Sequence, residues 1–221
     1  MPWGMKNYTI QLFGSSIIEG RIGVERAADR WYEIMRRQLC EMFPATCFAV
    51  YNAAVGGKSA RELMARFDGE LAGHTPDLCI AMFGWNNCRM DAAPELRVGI
   101  PELKALMEEF PSRLPERTKV AVVTNQPIVE ERHSTFRNPA YDRLRVEYGG
   151  FDAYHDLERE AARDFCRRHG FPCVDLAVLM ADDPEKYICE DGIHLSPCGH
   201  EFFAAAAVEV VAPLIRADGC R

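Results

Sequence analysis

The chain contains short runs that are apolar at consecutive positions rather than at alternate ones, most clearly Leu78-Cys79-Ile80-Ala81-Met82-Phe83 and Val120-Ala121-Val122-Val123. A strand turns successive side chains to opposite faces, so a run of this kind must be covered on both sides. That condition is met inside a parallel sheet, and it predicts five strands, over 8–13, 47–53, 77–83, 119–124 and 173–176. Between them the apolar positions switch to the 3.6-residue period of a helix. Ala27, Ala28, Trp31, Ile34, Met35 and Leu39 form one such face, and Leu63, Met64, Phe67 and Leu71 another. Leu103, Leu106, Met107 and Phe110 form a third, Tyr154, Leu157, Ala161 and Phe165 a fourth, and Phe202, Phe203, Ala206, Val210 and Leu214 the last. Strand and helix alternating from end to end predict a three-layer α/β/α sandwich with right-handed crossovers. Ligands of such sheets sit beyond the carboxyl ends of the strands. At 221 residues the chain can bury one core of this size, and a single domain over 1–221 is expected.

Charge and cysteine usage narrow the function classes. A formal charge of -7 disfavours nucleic acid and anionic membrane as partners, because both reward clustered Lys and Arg. No run reaches the roughly 18 apolar residues of a membrane span, so no stable membrane insertion is expected. The opening Met1-Pro2-Trp3-Gly4-Met5-Lys6 lacks the apolar core and cleavage site of a secretory signal. Nine cysteines, an odd count without a C-x-x-C pair, signal neither a disulfide framework nor a zinc ribbon. A cytoplasmic setting is the expectation, with the thiols, Cys189 and Cys198 included, read as small buried hydrophobes. Neither metal nor cofactor is indicated, and oligomeric state is not legible.

Four segments could carry chemistry. The first expected strand runs into Gly14-Ser15-Ser16, a small-residue turn that would present a hydroxyl at the tip of the sheet. Near the other end, Asp191-Gly192-Ile193-His194 places a carboxylate three positions before an imidazole, close enough to curl back onto one ring nitrogen and leave the other for a nucleophile. The same residues could make a plain turn with a surface histidine, and a serine ahead of a helix is often only a cap. Two strand ends between them favour the chemical reading. Gly56-Gly57 precedes a helix start marked by the capping box Ser59 and Glu62, so a backbone N–H can face outward there. Phe83-Gly84-Trp85-Asn86-Asn87 offers a side-chain amide, and N–H and amide donors are the two kinds an oxyanion hole uses. A second helix start is marked by Ser196-Pro197.

In order and content these four segments resemble the SGNH hydrolases, the GDSL-like lipases, esterases and acylhydrolases, from Gly14 to Gly199. The resemblance implies a flavodoxin-like sandwich with five parallel strands. It further implies Ser16 as nucleophile, Asp191 and His194 as acid and base, and Gly57 and Asn86 as oxyanion donors. It points to a serine esterase acting on a small-molecule ester, leaning to a small acyl group such as acetyl. Lysophospholipase or thioesterase activity and a non-catalytic module on the same fold are the alternatives. Two positions depart from the family pattern: Ser15 stands where Gly-Asp-Ser has its aspartate, and Asn87 where G-x-N-D has its acid.

Other motifs are poorer. Gly57-Lys58-Ser59 resembles the end of a P-loop, but Asn52 occupies the position of the first glycine. The G-x-S-x-G elbow is absent. His74 and His169 read as helix-end residues, His200 as structural, and Arg132 and His133 as solvated loop residues that could reach substrate. The segment 126–150, long and rich in charge and aromatics, is read as a wall or lid of the pocket.

Overall fold

The computed structural model describes residues 5–71, 75–88, 96–134 and 138–220. Its strands are β1 (Lys6–Phe13), β2 (Thr46–Asn52), β3 (Leu78–Ala81), β4 (Lys119–Val123) and β5 (Cys173–Val174). They form one parallel sheet in the order β2-β1-β3-β4-β5. The helices are α1 (Ser16–Glu19), α2 (Trp31–Met42), α3 (Ala60–Leu71), α4 (Ile100–Glu109), α5 (Asp142–Tyr148), α6 (Phe151–His169), α7 (Leu176–Leu179), α8 (Pro184–Tyr187) and α9 (Pro197–Ala217).

The consecutive apolar runs sort themselves by the pleat. Ile80, Met82, Ala121 and Val123 enter one core with Trp31, Met35 and Leu39 of α2 and Phe203, Ala207, Val211 and Ile215 of α9. Cys79, Ala81, Val120 and Val122 enter the other, with Phe67 of α3, Met107 of α4 and Phe165 of α6. The sheet is thus covered on both faces, as its sequence requires. Phe110 lies at the centre of the second core, fully buried, with ring centroids 5.1 Å from Phe13, 5.0 Å from Phe67 and 5.0 Å from Phe83.

The expected capping box is present. Glu62 Oε2 accepts from Ser59 N at 2.9 Å, and Ser59 Oγ faces Glu62 N at 3.5 Å. The ion pair with Lys58, with the Ser59 N–H behind it, holds the Glu62 carboxyl down to about 2. At the start of α9, Ser196 Oγ accepts from Gly199 N at 3.1 Å.

Two expectations shift. Leu157, expected on the buried face of its helix, is 43% exposed; that face carries His155 and Glu158 instead. In α9 the buried stripe runs through Phe203, Ala207, Val211 and Ile215, with Phe202, Ala206, Val210 and Leu214 only partly buried beside it. This same helix is long and apolar enough by mean hydropathy to cross a membrane, although Glu201 and Glu209 interrupt its apolar positions. Here its apolar face is spent on α2 and the sheet.

Truncating Phe110 removes the hub of the second core. Phe110→Ala is expected to lower unfolding free energy by about 3–5 kcal/mol, read as a lower denaturant midpoint with an unchanged m-value.

Candidate active site

The turn after β1 is built from small residues for steric reasons. A Cβ at Gly14 would lie 2.5 Å from Ile18 Cγ1 and 3.2 Å from Met82 O, so only glycine fits. Val55 N donates to Gly14 O at 3.0 Å, tying the exit of β2 to the exit of β1. Ser16 then opens the single turn of α1, which closes with Gly20 N donating to Ser16 O at 3.0 Å. Ser15 is fully buried, and its hydroxyl has no partner among the described residues. Of the two serines, Ser16 is the one that faces the cavity.

The turn at 191–194 is held from two sides. Cys189 N donates to His194 O at 2.7 Å and Gly192 N to Cys189 O at 3.0 Å, closing it locally. From outside, Val129 N donates to Gly192 O at 2.9 Å and Gln126 Nε2 to Ile193 O at 2.6 Å. Gly192 has φ +80°, and a Cβ there would sit 2.4 Å from Val129 O. The result is a two-bond chain across the molecule: His194 Nδ1 is 2.6 Å from Asp191 Oδ2, and His194 Nε2 is 3.0 Å from Ser16 Oγ, 178 positions away in sequence. Asp191 Oδ1 accepts from the Ile193 and His194 N–H groups at 3.0 and 2.9 Å. Burial raises the Asp191 pKa, but the His194 ring and these two N–H groups outweigh it and hold the carboxyl well below its ordinary range. Asp191 is therefore ionised, and its charge favours the proton on Nδ1 of His194.

The donor-bearing segments lie on the same cavity. Gly56 approaches Ser16 so closely that a Cβ on it would stand 3.6 Å from Ser16 Cβ, and its N–H donates to Glu19 Oε2 at 3.2 Å. Gly57, at φ +78°, has its carbonyl tied to Arg97 Nη1 at 3.0 Å. Asn86 is 9% exposed and opens onto the cavity, and its amide makes no hydrogen bond to another described residue. Ser16, Gly57, Asn86 and His194 all line one space of about 400 Å³. Trp85, Cys88, His133, Tyr141 and Phe151 supply much of the rest of its wall, and Glu19 is among its lining residues.

The 126–150 segment contributes His133 and Tyr141 to this wall and braces the 191–194 turn; positions 135–137 lie outside the described residues. His133 is not a solvated loop residue. Its ring packs 5.5 Å from Trp85 and 5.7 Å from Phe151, and burial holds its imidazole below the usual range against the pull of Asp191. Arg132 does point away from the cavity, to Glu185. His200 clamps the scaffold, with Nδ1 accepting from Trp31 N at 3.1 Å and Nε2 donating to Ile22 O at 2.9 Å. His169 ends α6 and pairs with Glu108 at 2.9 Å, while His74 lies outside the described residues. Cys189 and Cys198 are partly buried rather than buried and Cys47 is exposed, and the Cys189 thiol donates to Leu195 O at 3.2 Å.

Two buried residues under the Asn86 segment are not signalled by the sequence. His155 Nδ1 lies 2.6 Å from Glu158 Oε2 inside the protein, both side chains shielded from solvent. A histidine and a glutamate three apart on a helix ordinarily read as a solvated ion pair, and only the packing of α6 shows otherwise.

The sequence profile of the GDSL-like lipase/acylhydrolase family matches residues 12–202. No curated protein sequence matches the chain. Among solved structures, the lipase/acylhydrolase from Enterococcus faecalis superposes with a TM-score of 0.75 at 21% identity, over 94% of this chain and 96% of that one. The acetylxylan esterase Axe2 from Geobacillus stearothermophilus gives 0.70 at 16% identity, over 94% and 95%. The acetyl xylan esterase AlAXEase gives 0.69 at 18%, over 92% and 99%. At these identities the likeness is one of fold.

A carboxyl held below its unfolded value adds stability above that value and loses it as pH falls through the lower folded one. Asp191→Asn is therefore expected to melt below wild type at neutral pH and to show a shallower fall below about pH 4. The two melting curves, followed against pH, should converge in acid.

Proposed function

Because the chain belongs to the GDSL-like lipase/acylhydrolase family, whose members act on ester bonds, we propose that it hydrolyses carboxylic esters with a small, uncharged acyl group through an acyl-enzyme on Ser16. The observation that carries this reading is the bond chain from Asp191 Oδ2 to His194 Nδ1 and from His194 Nε2 to Ser16 Oγ, at 2.6 and 3.0 Å. His194 Nε2 takes the Ser16 proton as Oγ bonds to the ester carbonyl carbon, and the carbonyl π electrons move onto oxygen. That oxyanion is met by the N–H groups of Ser16 and Gly57 and by the Asn86 amide. As the carbonyl reforms, the bond to the alcohol oxygen breaks and His194 hands it the proton. Water then repeats the sequence on the acyl-enzyme, giving its proton to His194 and releasing the acid, and Ser16 regains its proton. Asp191 stays ionised throughout and steadies the imidazolium.

The wall of the cavity supports the acyl preference. Trp85, His133, Phe151 and Tyr141 form a continuous series of ring contacts, with Phe151 and Tyr141 5.0 Å apart, which resists opening to a long chain. A volume of about 400 Å³ is at the small end of ligand pockets. Neither Lys nor Arg is among its described lining residues, whereas Glu19, paired with Arg21 at 3.2 Å, is, so the lining itself presents no cation to anionic esters such as lysophospholipids and coenzyme thioesters. The acetyl xylan esterases among the fold neighbours accord with a small acyl group.

A fluorophosphonate should label Ser16, with labelling lost in Ser16→Ala and His194→Ala; folded wild-type protein that does not label would sink the reading. Asn86→Ala should lower kcat by about 10²–10³-fold with KM little changed, the signature of a donor that acts in the transition state. On p-nitrophenyl esters, acetate and butyrate should exceed octanoate in kcat/KM by about tenfold or more, roughly the discrimination a hydrophobic pocket can supply per misfit. A preference for octanoate would overturn the small-acyl assignment.

A further inference from the structure

Asn86 sits on a turn that its own sequence does not favour. Trp85, directly before it, has φ +87°, and it is the only non-glycine with positive φ among the described residues. A bulky residue in that conformation persists only when its neighbours hold it there. The holder lies on α6. Glu158, 2% exposed, accepts from Trp85 N at 3.2 Å through Oε2 and from Asn87 Nδ2 at 2.8 Å through Oε1, so it grips the residues on both sides of Asn86. Asn125 Nδ2 at 2.7 Å and His155 Nδ1 at 2.6 Å also converge on Oε2. A carboxylate this deep is tolerated only when its charged form is fully met by donors, and here four groups meet it. Burial raises the Glu158 pKa, but His155 beside it and the bonds from His155, Asn87 and Trp85 bring it below the usual carboxylate value.

The residue at 87 is matched to this charge. Asn87 Nδ2 donates both to Glu158 Oε1 and to Phe83 O, each at 2.8 Å, while its Oδ1 accepts from Ala60 N at 2.8 Å. One side chain thus joins the exit of β3, the first turn of α3 and the buried carboxylate. An acid at 87, which the resemblance leads one to expect, would set a second carboxylate 2.8 Å from Glu158 and an acceptor against the Phe83 carbonyl. Two carboxylates so close cannot both ionise. Gly84 completes the fit, since a Cβ there would lie 2.0 Å from Asn125 Oδ1.

We infer that Glu158 is the positioning residue of the Asn86 turn, supplying from α6 the carboxylate that position 87 lacks, with Asn87 as its obligate amide partner. This rests on Asn86 serving as an oxyanion donor. The test is a swap. Glu158→Gln and Asn87→Asp are made singly and together; the double exchange reverses donor and acceptor across the contact. Each single variant should lower kcat by about 10–100-fold with KM within about threefold, as for a displaced transition-state donor. The double variant should lose clearly less than the two single losses multiplied, short of wild type because a carboxylate at 87 still faces the Phe83 carbonyl, whereas independent sites would multiply their losses. Multiplied losses in the double variant, or Glu158→Gln with unchanged kcat, would overturn the inference. If a single variant is insoluble, a folded double variant supports the pairing and an insoluble one counts against it. Ser16→Ala on the same ester separates the two levels. Full turnover by that variant defeats the hydrolase reading alone, and the swap is then read from melting temperatures; an inert Ser16→Ala with additive melting losses at 87 and 158 defeats this inference alone.

Discussion

β1 is hydrogen-bonded on both sides, to β2 and to β3, and the rest of the site depends on that double pairing. Its last residues lie in register with the last residues of its neighbours, Leu12 opposite Asn52 and Phe13 opposite Ala81. The ladder then continues past the strands through Ala53 N to Leu12 O and Met82 N to Phe13 O, at 3.1 and 2.9 Å. The turns that follow three adjacent strands therefore open side by side, delivering Ser16, Gly57 and Asn86 to one place. β1 is also where the strand order reverses, since β2 lies on one side and β3 to β5 on the other. Divergent connections leave a crevice at such a point, and the cavity occupies it.

The second half of the chain brings the base to this crevice by a less regular route. Asp191 to His194 lies on no strand or helix, and its shape comes from contacts to distant segments: Val129 and Gln126 on one side, and the short bridge between Ile188 and Leu195 on the other. The 126–150 segment thus has two duties. It walls the cavity with His133 and Tyr141, and the residues at its start fix the turn that aims His194. Arg159 anchors that start, donating to Asn125 O at 3.2 Å and to Gln126 O at 2.6 Å from within the core. Next to it in sequence, Glu158 holds the Asn86 turn, so one stretch of α6 supports both sides of the crevice.

The buried polar cluster of Glu158, His155, Asn87 and Asn125 is where sequence reading and structure part. Periodicity places α6 correctly but assigns Leu157 to its buried face, because apolar residues are taken to be inside and charged ones outside. The rule fails here because the charge is met by four donors, and three of them come from the segments after β3 and β4, with only His155 on the helix itself. No local pattern can report such compensation. Asn87, which in the sequence is a departure from a family pattern, becomes intelligible once the carboxylate across from it is seen. Ser15, the other departure, is buried with an unpartnered hydroxyl, and nothing in the structure explains it.

Much was nonetheless set by the chain alone. Runs apolar at consecutive positions require cover on both faces, and helical periods between them supply it, so the parallel sandwich follows from burial and pleat. Gly14 before Ser15-Ser16, paired glycines before a capped helix, and a carboxylate three residues ahead of a histidine are local conformational signals, and they mark the site's four segments. Only the tertiary structure decides that His194 Nε2 stands 3.0 Å from Ser16 Oγ, that His133 walls the cavity, and that Glu158 lies charged beneath Asn86. These are relations between residues far apart in the chain, fixed by how helices and loops pack on the sheet rather than by any spacing along it.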